Sequence, residues 1–262
     1  MTSFLSTIII LFIRFITAPL GAERKLRTFR KTLVPLRKLI LTLYKPGSPT
    51  FRLSGDFEAD TREWLDSISV DCATMLWDIG ANVGAYSLYA ALQRNMQVLA
   101  FEPQAASYAL LNETIERVGI DSRIVAYQIA FDSNTKLGRL NQEDTGFGAG
   151  MHGFNTEKDQ FEHPIATKFR QGAIGFSVDD FVQQFSPPLP THVKIDVDGL
   201  ELSILEGGAK TFSAPSVRSM IVELQGSDER QAGIVRLMAE LGFTAEPKAS
   251  PSYRNMIFRR MD

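Results

Sequence analysis

The chain has a single cysteine, Cys72, so no intrachain disulfide can form and stability must come from a packed core. Such usage suits a reducing compartment. It also has no uninterrupted apolar run of the roughly 20 residues that a membrane-spanning helix takes. The nearest candidate, Phe4 to Leu20, covers 17 positions and is broken by Ser6, Thr7, Arg14, Thr17 and Pro19. An Arg near the centre of a span costs about 2.5–3.5 kcal/mol, which makes this segment marginal. A secretory signal fits poorly, because the basic residues follow the apolar run instead of preceding it. There is no internal repeat and no low-complexity tract, and no pattern specifies an oligomer.

What is present is a charge asymmetry hidden under a net charge of −2. Residues 1–45 carry nine Lys/Arg against the one acid Glu23, leaving 19 basic and 29 acidic residues for 46–262. Leu26, Phe29, Leu33, Leu36, Ile40 and Leu43 recur at spacings of three and four, with basic residues mainly between them. This pattern predicts an amphipathic helix suited to an anionic membrane surface, kinked by Pro35. The same pattern is also met by a stripe packed on the body with a solvated basic face, or, less well, by an acid-poor transit peptide. The expected location is cytoplasmic, with membrane association through residues 1–45. An acidic body argues against nucleic acid as a partner.

Lys45-Pro-Gly-Ser-Pro-Thr50 is loop-forming and separates the arm (1–45) from a domain at 46–262; at 262 residues and 44% hydrophobic content the chain can bury one full core. Asp56 to Ser69 has a helix-compatible pattern. Strands are expected at Met75–Ile79, Gln97–Glu102, Arg123–Ile129, Thr191–Val197, Val217–Leu224 and Tyr253–Arg259. Helices are expected at 85–92, 104–118, 178–185, 201–212 and 228–241. Strands alternating with helices of this length indicate a doubly wound parallel sheet. Between Phe131 and Ser177 the rhythm breaks into a Gly-punctuated stretch, either a substrate-covering insertion or plain surface loop.

The chemistry concentrates at the carboxyl ends of the strands, where open α/β sheets bind ligands. Gly80 and Gly84 turn the chain from strand to helix, with Asp78 just before them, and Glu102 ends the next strand, placed to accept ribose hydroxyls. The turn is Asp-x-Gly-x-Asn-x-Gly, not the G-x-G-x-x-G of a dinucleotide site, and no P-loop Lys or Ser/Thr is present. An acid before the first Gly repels phosphate and favours a cationic amino acid moiety, which points to S-adenosylmethionine.

Asp78-Ile-Gly-Ala-Asn-Val-Gly84, Phe101-Glu-Pro103, Lys194-Ile-Asp-Val-Asp-Gly-Leu-Glu-Leu-Ser-Ile-Leu-Glu-Gly207 and Ile221-Val-Glu-Leu224 resemble the successive motifs of the FkbM family of S-adenosylmethionine-dependent methyltransferases. Phe57-Glu-Ala-Asp-Thr61, Ala130-Phe-Asp132 and Ser177-Val-Asp-Asp-Phe181 are similar to further family patterns, so the likeness runs over residues 56–260. The resemblance implies an α/β class I methyltransferase (Rossmann-like) fold, a mostly parallel seven-stranded sheet with an antiparallel last strand, to which the basic helical arm is added. It also implies O-methylation of a hydroxyl of a sugar, glycan, glycolipid or secondary metabolite. Asp78, Gly80, Ala81, Asn82 and Gly84 then cradle the methionine part, Glu102 the ribose and Asp132 the adenine edge. Asp198 stands where the family often has Glu.

Asp196 and Asp198 are two apart on an extended segment and project to one side, as does Lys194, and Glu223 ends the neighbouring strand. Asp196 is the candidate acceptor contact or base, and His152 the alternative base. The carboxylates are also able to hold a divalent cation, which the reaction does not require. Glu201 and Glu206 read as helix-face charges. Two other readings of the same residues are a non-catalytic cofactor-binding module and an NAD(P)-dependent oxidoreductase.

Overall fold

The computed structural model describes residues 58–150, 152–159, 161, 163–248, 250 and 253–261. The arm at 1–45, with its amphipathic stripe, lies outside the described residues. Among the described residues no helix is long and apolar enough to cross a membrane.

The chain runs through α1 (Ala59–Ser67), β1 (Met75–Ile79), α2 (Ala85–Gln93), β2 (Gln97–Phe101), α3 (Ala105–Val118) and β3 (Ile124–Tyr127). Then come β4 (Ala130–Phe131), β5 (Lys136–Gln142), β6 (His152–Phe154) and β7 (Phe169–Phe176). The last part holds α4 (Val178–Phe185), β8 (His192–Ile195), α5 (Glu201–Gly207), α6 (Ala209–Phe212), β9 (Ser219–Glu223), α7 (Asp228–Glu240), β10 (Phe243–Ala245) and β11 (Asn255–Arg260). Seven strands form the main sheet in the order β10-β11-β9-β8-β1-β2-β3. Its neighbours pair in parallel except for β11, which is antiparallel to both β9 and β10. The strand order reverses direction at β1, so the crevice above β1, β2 and β8 is the switch point.

Side chains alternate across the sheet, and its two faces differ in kind. Trp77, Ile79, Leu99, Phe101, Val193, Ile195, Met220 and Val222 point to the side covered by α4 to α7, where they join one apolar cluster with Phe181, Ile204 and Ile234. The opposite face carries a buried polar set: Asp78 on β1, His192 and Lys194 on β8, Ser219 and Glu223 on β9, and Asn255 on β11. Helix α1 closes part of that face, with the Trp64 indole donating to Ser219 Oγ at 3.0 Å and His192 Nδ1 at 2.8 Å from the same oxygen. Burial pushes the His192 imidazole down to about 4, so it stays neutral.

Two expectations need correction. The stretch 131–177 is not plain loop: β4, β7, β5 and β6 build a second, four-stranded sheet in that order. Gly138, Gly153 and Gly175 are packing positions in it. A Cβ at Gly138 would meet the Asn155 side chain at 2.3 Å, and one at Gly175 the Phe154 ring at 2.4 Å. The expected helix over 201–212 is two short helices, α5 and α6, meeting at Gly208.

Candidate active site

The turn after β1 is shaped by what it abuts. Gly80 has φ +79° and Gly84 φ +85°. A Cβ on Gly80 would lie 1.8 Å from the Asp196 carbonyl oxygen, so the end of β8 closes directly on the turn. The amides of Gly80 and Ala81 both donate to the Phe101 carbonyl at 3.0 Å, joining the turn to the end of β2. Asn82 adopts φ +50°, which Asn tolerates better than most residues. Its side chain receives the Ser107 hydroxyl at 3.0 Å and donates to the Ala149 carbonyl at 3.3 Å, tying the turn to α3 and to the 131–177 segment.

Above the turn lies a cavity of about 190 Å³. One wall is apolar, with Ile79, Phe101, Ile129, Phe131, Leu140 and Phe154; the polar groups include Glu102, Asp196, Asp198 and His152. Among the described residues, none that lines it is Lys or Arg. The second sheet thus forms part of the cavity through Leu140, His152 and Phe154.

Glu102 accepts the Asn82 amide at 2.8 Å and the Gln104 amide at 2.7 Å. Burial pushes its carboxyl up to about 7, against the pull of those two amides. Asp196 projects into the cavity with a side chain 30% exposed and binds Lys194 Nζ at 3.0 Å. Lys194 also reaches Asp78 at 3.4 Å and sits over the Tyr86 ring, 5.1 Å from its centroid. Burial alone would discharge this ammonium, but Asp196 and Asp78 hold it charged, its pKa above the ordinary lysine value. Asp198 adopts φ +55°, and the loop it occupies is braced by Glu201, whose Oε1 accepts the Gly199 amide at 3.0 Å. Arg230 completes the brace, 3.1 Å from Glu201 Oε2 and bonded to the Gly199 carbonyl.

Of the residues read from the sequence, Gly80, Asn82, Glu102, Asp196, Asp198 and His152 line the cavity. Asp78, Ala81, Gly84, Asp132 and Glu223 do not line it. Asp78 lies fully buried behind the turn, accepting the Ser87 hydroxyl at 2.6 Å. Asp132 is captured by Lys136 at 2.7 Å and by the Ser133 amide at 2.6 Å. Glu201 is no helix-face charge; at 3% exposure it is the buried brace just described. His152 sits on β6; burial lowers its pKa, opposed by Asp198 and by the Ala149 backbone. Tyr86 and Asn255 are contributors to the polar face that the sequence reading gave no role, and Glu58, quoted there only within a motif, joins them. The Tyr86 hydroxyl accepts the Glu58 amide at 2.9 Å, and Asn255 Nδ2 donates to Glu58 at 2.5 Å. Among the described residues no group of three or more His, Cys, Asp or Glu side chains is arranged to hold a metal ion.

A doubly wound sheet whose β11 runs antiparallel to its neighbours, with a carboxylate-lined cleft at the ends of β1, β2 and β8, is the class I methyltransferase fold. The chain belongs to the FkbM methyltransferase family, whose domain matches residues 78–245. It is 28% identical over 174 residues to a hexuronic acid methyltransferase, AglP, of Haloferax volcanii, covering 66% of this chain and 64% of that relative. Among solved structures it is similar to an FkbM methyltransferase of Methylobacillus flagellatus, at 16% identity and TM-score 0.49 over 74% of this chain and 45% of that one. It is also similar to precorrin-6y C5,15-methyltransferase of Geobacter metallireducens, at 11% identity and TM-score 0.46 over 77% of this chain and 87% of that one. The family is one of methyltransferases and implies S-adenosylmethionine as the methyl donor; the chain spans just under two thirds of the length of the curated relative it matches.

The donor set fits that molecule: carboxylates without a lining cation suit a sulfonium and an ammonium, and the apolar wall suits an adenine. Glu102 then receives ribose hydroxyls best when ionised. With its folded pKa near 7, affinity for S-adenosylmethionine should rise about tenfold from pH 6 to pH 8, and Glu102→Gln should bind about tenfold more weakly with a flatter profile. Because burial raises this pKa above its unfolded value, its contribution to stability is full at low pH and is lost as pH rises through about 7. Glu102→Gln should therefore melt higher than wild type at pH 8, as differential scanning calorimetry can check.

Proposed function

We propose that the chain is an S-adenosylmethionine-dependent O-methyltransferase whose acceptor is a hydroxyl of a sugar, free or within a glycan or glycolipid. The observation that carries the reading is the cavity lining, where Glu102, Asp196 and Asp198 face an apolar wall with no Lys or Arg among the described lining residues. A dinucleotide would bring its pyrophosphate against these carboxylates, which disfavours the oxidoreductase reading. A non-catalytic module has no evident use for Asp196, which is held by Lys194 and opens on the cavity. The activity named for the Haloferax volcanii relative supports a sugar as the acceptor class.

When bound, S-adenosylmethionine supplies an electrophilic methyl group on a sulfonium. Glu102 holds the ribose end, and the backbone of the Gly80 turn admits the methionine part without a side chain in its way. Asp196 orients the acceptor hydroxyl and takes its proton, with Lys194 fixing the carboxylate in place.

The test is incubation of the full chain with methyl-labelled donor and fractionated lipid, glycan and small-molecule pools. Label is expected in a carbohydrate-bearing product. Asp196→Asn should lower transfer about 10²- to 10³-fold, a larger effect than its effect on donor affinity. Label appearing only in carbohydrate-free products, or unaltered transfer by Asp196→Asn, would overturn the reading.

A further inference from the structure

Ile195 of β8 pairs with Val222 of β9; Asp196 follows the end of β8 directly, and Glu223 is the last residue of β9, so each stands one residue beyond that pair. They share the face that carries Lys194 and Asp78, and Asn255 of β11 lies opposite Glu223. Glu223 is 5% exposed. Its Oε1 accepts the Gln225 side-chain amide, while its Oε2 is buried with no hydrogen-bond partner. The surrounding charges are Asp196 and Asp198 after β8 and Glu201 on α5, with Glu58 at the start of α1 bonded to Asn255. The nearby cations are committed, Lys194 to Asp78 and Asp196, and Arg230 to Glu201. A buried carboxylate with an orphaned oxygen beside a second carboxylate is relieved by a proton held between them.

We propose that Asp196 and Glu223 share one proton in the free protein, release it when the cationic donor binds, and regain one from the acceptor hydroxyl during transfer. This inference rests on the methyltransferase reading above. As the acceptor oxygen forms its bond to the methyl carbon, the carbon–sulfur bond breaks and its electron pair stays on sulfur. The donor leaves as a neutral thioether, and the hydroxyl proton passes to Asp196. The site thus exchanges one positive charge for another and keeps its net charge through the cycle. Glu223 touches no substrate; it acts through Asp196 as a positioning residue for the proton. Burial, and then the Asp196 carboxylate, push the Glu223 carboxyl up to about 8, so the pair holds its proton at neutral pH.

The experiment is calorimetric titration of the full chain at about pH 7.5 in two buffers of different ionisation enthalpy, once with S-adenosylmethionine and once with S-adenosylhomocysteine. The thioether occupies the ribose site equally and lacks the sulfonium, so it subtracts any proton taken from Glu102. About half to one more proton should leave with the sulfonium than with the thioether, and Glu223→Gln should remove most of that difference. Equal proton release by the two ligands, or an unaltered difference in Glu223→Gln, overturns the proposal. Carbon-13 NMR of glutamate-labelled free protein decides the pair even if neither ligand binds, an outcome that would instead count against the methyltransferase reading. One carboxyl should titrate near 8, and Asp196→Asn should lower its midpoint by about one unit or more. A spectrum in which no such carboxyl exists, or in which Asp196→Asn leaves its midpoint in place, refutes the pair.

Discussion

Gly80→Ala is expected to destabilise the protein by at least about 3 kcal/mol and to abolish donor binding. Two costs add at one position. The residue sits at φ +79°, where an L side chain is strained, and its Cβ would be driven to 1.8 Å from the Asp196 carbonyl oxygen. That oxygen cannot swing aside cheaply, because the Asp196 amide is bonded to the Ile79 carbonyl at 3.1 Å and the strand behind it is central. Relief would have to come from the turn itself, whose Gly80 and Ala81 amides are both anchored on Phe101. Gly172→Ala is the control, since a Cβ there meets nothing within 4 Å, and should change stability by less than about 0.5 kcal/mol. Urea denaturation of the two variants measures the contrast.

Lys194→Met should cost about 3–5 kcal/mol, the range for breaking a buried ion pair by removing one partner. Lys194 is the cation of the polar face: its side chain is 4% exposed and that of Asp78 is 0% exposed, so neither can turn to solvent. Without the ammonium, Asp78 and Asp196 are left as neighbouring carboxylates, one of them fully buried. Adding Asp78→Asn should restore at least half of the loss, because the remaining penalty is chiefly that of an uncompensated charge. Chemical denaturation of the single and double variants checks both expectations.

The main sheet was legible because each of its central strands is a short apolar run followed by a turn or breaker, and because β1 ends in a glycine turn that a helix must leave. The second sheet was not. Most positions of β7 lie at least partly exposed, and Gly138, Gly153 and Gly175 read as punctuation when they are points of close side-chain or backbone approach. Local pattern cannot report a contact made across strands. The site shows the same division. Glu102, Asp196 and Asp198 were legible as acids at strand ends, a placement that local sequence specifies. Glu201 was misread because its partner Arg230 lies 29 positions away, and the contact of Glu58 with Asn255 spans 197 positions. Asp132 did carry a local signal, Lys136 four residues on, which pairs with it and turns it from the cavity.

The most direct measurement of the central claim is calorimetric titration of the full chain with S-adenosylmethionine and, separately, with NAD+. The expected result is saturable one-to-one binding of the sulfonium cofactor, weakened about tenfold or more by Glu102→Gln, with no measurable heat from the dinucleotide. Failure to bind S-adenosylmethionine, or tighter binding of NAD+, would contradict the assignment of the carboxylate-lined cavity to a methyl donor.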